Sequence, residues 1–114
     1  MRDLDLITFF FFYHDTTYMT VDRAAMNKKL FDALKPGGTL IVADHSAAAG
    51  AGTSVAQTLH RIEESALQKE IEAAGFKLAA SGDFLRNPDD KRDARVFGMN
   101  PPADSFIHKY EKPR

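Results

Sequence analysis

The stretch Asp5-Leu-Ile-Thr-Phe-Phe-Phe-Phe-Tyr13 most narrows what this chain can fold into. It is an unbroken run of aromatic, aliphatic and β-branched residues rather than an alternating one. That pattern suits a strand covered on both faces, as in a parallel sheet between helices. A buried helix is the competing reading, but the modest helix propensity and good strand propensity of phenylalanine favour the strand. Residues 6–13 are too few to span a bilayer. Asp3 and Asp5 stand where a signal peptide needs a basic start, and no small-residue cleavage site follows. The expectation is a soluble, cytoplasmic protein.

Beyond the run the hydrophobic period changes. Met26, Leu30, Ala33 and Leu34 share one face of a helix predicted over residues 21–34, which Pro36-Gly37-Gly38 should stop. Residues 39–43, Thr-Leu-Ile-Val-Ala, read as a second doubly covered strand, and residues 46–54 as a mobile loop. That loop lacks the Gly-x-Gly-x-x-Gly and Gly-Lys-Ser/Thr spacings of a phosphate cradle. Ser65-Ala-Leu-Gln68 has the capping-box pattern, with Leu67, Ile71 and Ala74 following at helical spacing and Gly75 as the stop. Residues 76–85 look extended, residues 87–93 form a charged turn read as solvated, and residues 105–111 place Phe106, His108 and Tyr110 on one side of a strand. The order β-α-β-α-β-β gives an α/β layer structure with a mixed sheet of about four strands, the last antiparallel.

Composition removes several function classes. With 114 residues the chain is one domain, or a piece of one, spanning residues 1–114. A net charge of −1 gives no electrostatic case for nucleic acid or an anionic membrane. Without cysteine there is no disulfide framework, thiolate nucleophile or cysteine-ligated zinc.

The motifs then carry a resemblance. Asp5-Leu-Ile-Thr8, Tyr13-His-Asp-Thr16, Val21-Asp-Arg-Ala-Ala-Met-Asn27, Leu34-Lys-Pro-Gly-Gly38 and Asp44-His-Ser46 resemble the C-terminal half of class I S-adenosylmethionine-dependent methyltransferases. They look closest to a bacterial group of predicted methyltransferases with Tyr-His-Asp-Thr and Asp-His-Ser at these places. Thr58-Leu-His-Arg-Ile62, Glu72-Ala-Ala-Gly-Phe76, Gly82-Asp-Phe-Leu-Arg-Asn-Pro88 and Lys109-Tyr-Glu-Lys-Pro113 extend the similarity along essentially the whole chain. The resemblance implies a partial Rossmann-like fold, with the family's fourth, fifth, seventh and sixth strands side by side and the seventh antiparallel. It also implies that the glycine-rich cofactor loop and the acidic ribose-binding residue belong to an N-terminal half that this sequence lacks. S-adenosylmethionine is the cofactor of the full-length family; none is expected for this chain alone. The resemblance is to an enzyme, but the missing loop leaves activity unassigned.

His14 and Asp15 fall just past the first strand, Asp44 and His45 just past the second. In a parallel sheet those carboxyl ends share the ligand-binding rim, so these four are the candidates for a general base or an orienter of a substrate hydroxyl. The resemblance places such residues in the acceptor and methyl-transfer pocket. Tyr13, His14, Asp15, His60 and Arg61 are the substrate-binding candidates, with Tyr13 suited to stacking on a flat acceptor and His60 and Arg61 to holding an anion. No cofactor-binding residue is expected. Nor is a metal site, because neither a His-x-x-x-His nor a facial-triad spacing occurs.

In the full fold the strand between Leu4 and Tyr13 pairs on both sides; here one side would lack a partner. Charge, proline or a bulge normally blunts such an edge, and residues 6–13 carry none by sequence. The leading expectation is therefore a truncated methyltransferase-like domain that neither binds S-adenosylmethionine nor transfers methyl groups alone. It folds as a homodimer through Leu4 to Tyr13, or by segment exchange. The alternatives are an interaction module complementing a separate N-terminal half, or an incomplete frame of a full small-molecule methyltransferase.

Overall fold

The computed structural model describes residues 3–97 and 102–114. In chain order the elements are β1 (Leu4–Phe10), α1 (Tyr13–Thr16), α2 (Arg23–Ala33), β2 (Leu34–His45), α3 (Ala56–Leu59), α4 (Glu64–Ala73), β3 (Lys77–Gly82) and β4 (Ser105–Glu111). They form one four-stranded sheet in the order β1-β2-β4-β3. β1 runs parallel to β2, and β4 lies antiparallel between β2 and β3. This is the mixed sheet expected, with the last strand inserted in reverse.

The core forms where the alternate residues of the strands meet the helices. Leu40 and Val42 of β2, Phe106 and Tyr110 of β4, and Leu67 and Ile71 of α4 are all buried in one cluster. β4 keeps the alternation read from sequence: Phe106, His108 and Tyr110 are inside, while Lys109 is exposed. β1 contributes Leu4, Ile7 and Phe9, all only partly buried. Its other face holds Leu6 and Phe10, exposed by 52% and 50%. The expectation that this strand is covered on both faces thus fails within the described residues, because no element packs against that side.

Three local expectations also change. Pro36-Gly37-Gly38 does not separate helix from strand; α2 ends at Ala33 and the tripeptide lies inside β2. The β1–β2 register jumps there, from Leu4 opposite Leu34 to Leu6 opposite Thr39, so the surplus residues bulge. Proline is tolerated at such a bulge, and Gly37 takes the positive φ (+84°) that it requires. A side chain at Gly38 would force a backbone shift, since a Cβ would sit 2.9 Å from the Lys35 carbonyl oxygen and 3.1 Å from that of Leu4. Second, Ser65 does not cap α4, which begins at Glu64 with Glu63 in the capping position. The Glu63 carboxylate instead accepts the amides of Gly50 and Gly52, each at 2.9 Å. Those bonds hold its titration below the ordinary carboxylate value. Third, the charged segment at 87–93 is not simply solvated. The Asp90 side chain, 3% exposed, pairs with the fully buried Arg61 at 2.6 Å.

Candidate functional site

The site grows from the way β1 ends. Phe11 adopts a positive φ of 56° and still donates its amide to Ala43 on β2 (2.7 Å). The chain then turns through the single helical turn α1. The Thr16 and Thr17 hydroxyls donate to the carbonyls of Tyr13 and His14, which is the local use of the Tyr-His-Asp-Thr sequence. The turn sets His14 against the last residues of the neighbouring strand.

Asp44, wholly buried near the end of β2, accepts three donors. The amides of His14 and His45 both reach it at 2.8 Å, and His14 Nδ1 lies 2.7 Å from Asp44 Oδ1. An ionised carboxylate can only accept, so the imidazole presents Nδ1–H to Asp44 and leaves Nε2 available. Burial works against charge on His14, but the hydrogen bond and charge of Asp44, with the charge of Asp15, outweigh it and raise its titration above the ordinary value. Nε2 faces Asp15 Oδ1 at 3.3 Å. Tyr18 donates its hydroxyl to the same carboxylate oxygen.

His60 completes the arrangement from another direction. It ends α3 with left-handed backbone (φ 58°) and brings Nδ1 to 3.9 Å from Asp15 Oδ1. Its ring stands edge-on to His14 (5.5 Å between centroids) and against Phe97 (4.7 Å). His45 stacks on Phe11 at 4.8 Å and contacts Ser105 Oγ at 3.1 Å. Burial lowers its titration, the positive charges of His14, Arg61 and His60 push the same way, and Asp44 opposes.

His14, Asp15, His45 and His60 line a cavity of ≈ 250 Å³ walled by Phe11 and Phe97. A second cavity, ≈ 370 Å³, shares Phe11 and His45 and extends to Arg86, Asn87 and Ser105. Chemically, the rim offers an imidazole oriented by a buried carboxylate, an arrangement able to take up a proton, beside aromatic walls suited to a flat or apolar molecule.

The structure therefore gathers five of the sequence candidates, His14, Asp15, Asp44, His45 and His60, and places two elsewhere. Tyr13 is a core residue; its hydroxyl donates to Glu70 (2.7 Å) and accepts from Asn27 (2.9 Å). Burial pushes its phenol far above the ordinary value. Arg61 turns inward to Asp90 and the carbonyls of Ser46 and Ala94. Phe11, Phe97 and Ser105 were not among the candidates. Phe11 is indistinguishable by sequence from its phenylalanine neighbours, and the other two reach the rim only through long-range folding.

Neither a protein-family model nor a curated protein matches the sequence. Solved structures do match the fold. The N-methyltransferase NodS of Bradyrhizobium japonicum has a TM-score of 0.65 and 12% identity, covering 100% of this chain but 53% of its own. A SAM-dependent methyltransferase of Methanosarcina mazei has a TM-score of 0.63 and 11% identity, with coverages of 99% and 62%. The [4+2]-cyclase SpnF is similar too, with a TM-score of 0.61, 14% identity and coverages of 98% and 50%, so the fold alone does not fix a reaction. No helix among the described residues is long and apolar enough to cross a membrane. With its strand order β1-β2-β4-β3 and reversed β4, the chain has the fold of the C-terminal half of a class I S-adenosylmethionine-dependent methyltransferase, spanning 40–66% of the chains it resembles.

Proposed function

We propose that this chain is the acceptor-side half of a methyltransferase-type domain, one that does not hold S-adenosylmethionine by its own residues. The observation that carries the reading is the pairing of a formed rim, in which Asp44 orients His14, with a sheet that stops at β1. The Gly50–Gly52 loop offers its amides to Glu63 rather than to a ligand. The sequence holds no strand followed by a Gly-x-Gly-x-x-Gly turn and helix. Calorimetric titration of S-adenosylmethionine into the chain, with and without a methyltransferase N-terminal half supplied in trans, tests the proposal. Saturable binding only with the added half is expected.

The outer edge of β1 is where the sheet would be continued. On the open face of the same strand, exposed Leu6 and Phe10, with the adjacent Phe11 and Phe12, favour cover by protein. A second copy would supply that cover, β1 pairing antiparallel with its own counterpart about a two-fold axis, which satisfies both edges at once. The partial coverage of the compared methyltransferases supports the second reading, in which a cofactor-binding half occupies the same edge. The solution mass of the chain alone separates the two.

A further inference from the structure

We propose that His14, Asp15 and His60 form a binding site for one divalent metal ion of the zinc type, with Asp44 holding His14 in the ligating tautomer. One ligand atom from each of the three lies within 4.8 Å of the others. At metal–ligand distances of about 2.0–2.1 Å, tetrahedral geometry separates ligand atoms by about 3.3–3.5 Å. His14 Nε2 and Asp15 Oδ1 already stand 3.3 Å apart. His60 Nδ1, 3.9 Å from the same oxygen, needs only a modest approach. The sequence separation of His60 from His14 hides this grouping; the fold creates it.

Three further observations point the same way. The Asp44–His14 contact at 2.7 Å is the carboxylate–histidine pairing that fixes ring orientation behind a metal ligand. His60 takes its left-handed backbone (φ 58°) as the cap that ends α3, and that turn brings its ring edge-on to His14 at 5.5 Å. The cavity of ≈ 250 Å³ leaves room beside the three ligands for a fourth, exchangeable one. Two imidazoles and one carboxylate with an open position is the donor set of a catalytic rather than a structural zinc site. A bound ion would supply Lewis acidity at the acceptor pocket. The proposal deepens the acceptor-side reading but stands or falls separately, since metal binding is read without S-adenosylmethionine.

The test is calorimetric titration of Zn²⁺ into the chelator-treated chain, paired with the visible absorption of Co²⁺ as a report on coordination. One equivalent binding with micromolar affinity or tighter is expected, with Co²⁺ giving a tetrahedral-type spectrum. His60→Ala and Asp15→Asn should each weaken Zn²⁺ at least tenfold, and Asp44→Asn by about 10- to 100-fold through loss of the outer partner. Asp32→Asn, which removes an exposed carboxylate on α2, should change affinity less than twofold. His60 is partly exposed, so its variant is expected to fold, and far-ultraviolet circular dichroism checks this. Millimolar binding only, binding undiminished in a folded His60→Ala variant, or equal losses in Asp32→Asn would overturn the proposal.

Discussion

Asp44 Oδ1 and His14 Nδ1 lie 2.7 Å apart across the ends of two neighbouring parallel strands. The carboxylate also accepts the amides of His14 and His45. One buried group thus fixes the turn after β1, the end of β2 and the tautomer of the rim imidazole. Asp44→Ala would leave three donors unpaired, two of them buried, and we expect a loss of roughly 3 kcal/mol or more in urea unfolding. A loss below about 1 kcal/mol would mean that the turn is held by other contacts.

Glu70 ties α4 to α2 and to the core tyrosine. It receives Arg23 through two bonds of 2.8 Å and the Tyr13 hydroxyl at 2.7 Å. Burial alone would raise its titration, but Arg23 and Tyr13 outweigh burial and hold it below the ordinary carboxylate value. A carboxylate with a depressed native pKa contributes stability above its unfolded value, and that contribution is lost as pH falls through the native one. The urea midpoint should therefore fall as pH drops through and below the ordinary glutamate range. Glu70→Gln should lower stability by about 1.5–3 kcal/mol at neutral pH and flatten part of that acid dependence. Parallel pH profiles for the two proteins would show the pair to be idle.

Arg61 and Asp90 form a pair with side chains 0% and 3% exposed. Removing one partner leaves the other charge buried, so Asp90→Ala should cost about 3–5 kcal/mol in chemical denaturation. Asp89→Ala, one position away on an exposed residue, should cost less than about 0.5 kcal/mol. Similar losses for both would contradict the buried pairing.

The edge of β1 makes a prediction about mass. Sedimentation equilibrium of the chain should give twice 12.7 kDa. Phe10 is half exposed, so lysine there is compatible with the single-copy fold while placing charge on the open face of the pairing strand. Phe10→Lys should sediment as a folded monomer. An unmodified chain that stays monomeric at high micromolar concentration would remove the two-fold pairing and leave the edge to a different partner.

The sequence conveys the layer order well because its signals are local. The strand at residues 4–10, the alternation of Phe106, His108 and Tyr110, and the shared rim of parallel strands each depend on period or topology, although the apolar run leaves the strand at Phe10 and is open on one face. What it hides is long-range. Asp90 reads as solvent-facing because nothing nearby shows that Arg61, 29 positions away, waits inside. Ser65 satisfies a capping pattern, yet α4 starts a residue earlier, with the Glu63 carboxylate bound to Gly50 and Gly52. His60 joins His14 and Asp15 only through a left-handed turn after α3, which no periodicity announces.

On the proposed reading, the chain carries the acceptor side of a methyltransferase-type domain and does not itself hold S-adenosylmethionine. Isothermal titration of S-adenosylmethionine into the chain alone addresses it most directly. No saturable heat is predicted while circular dichroism shows the chain folded. A single-site isotherm with micromolar affinity would contradict it.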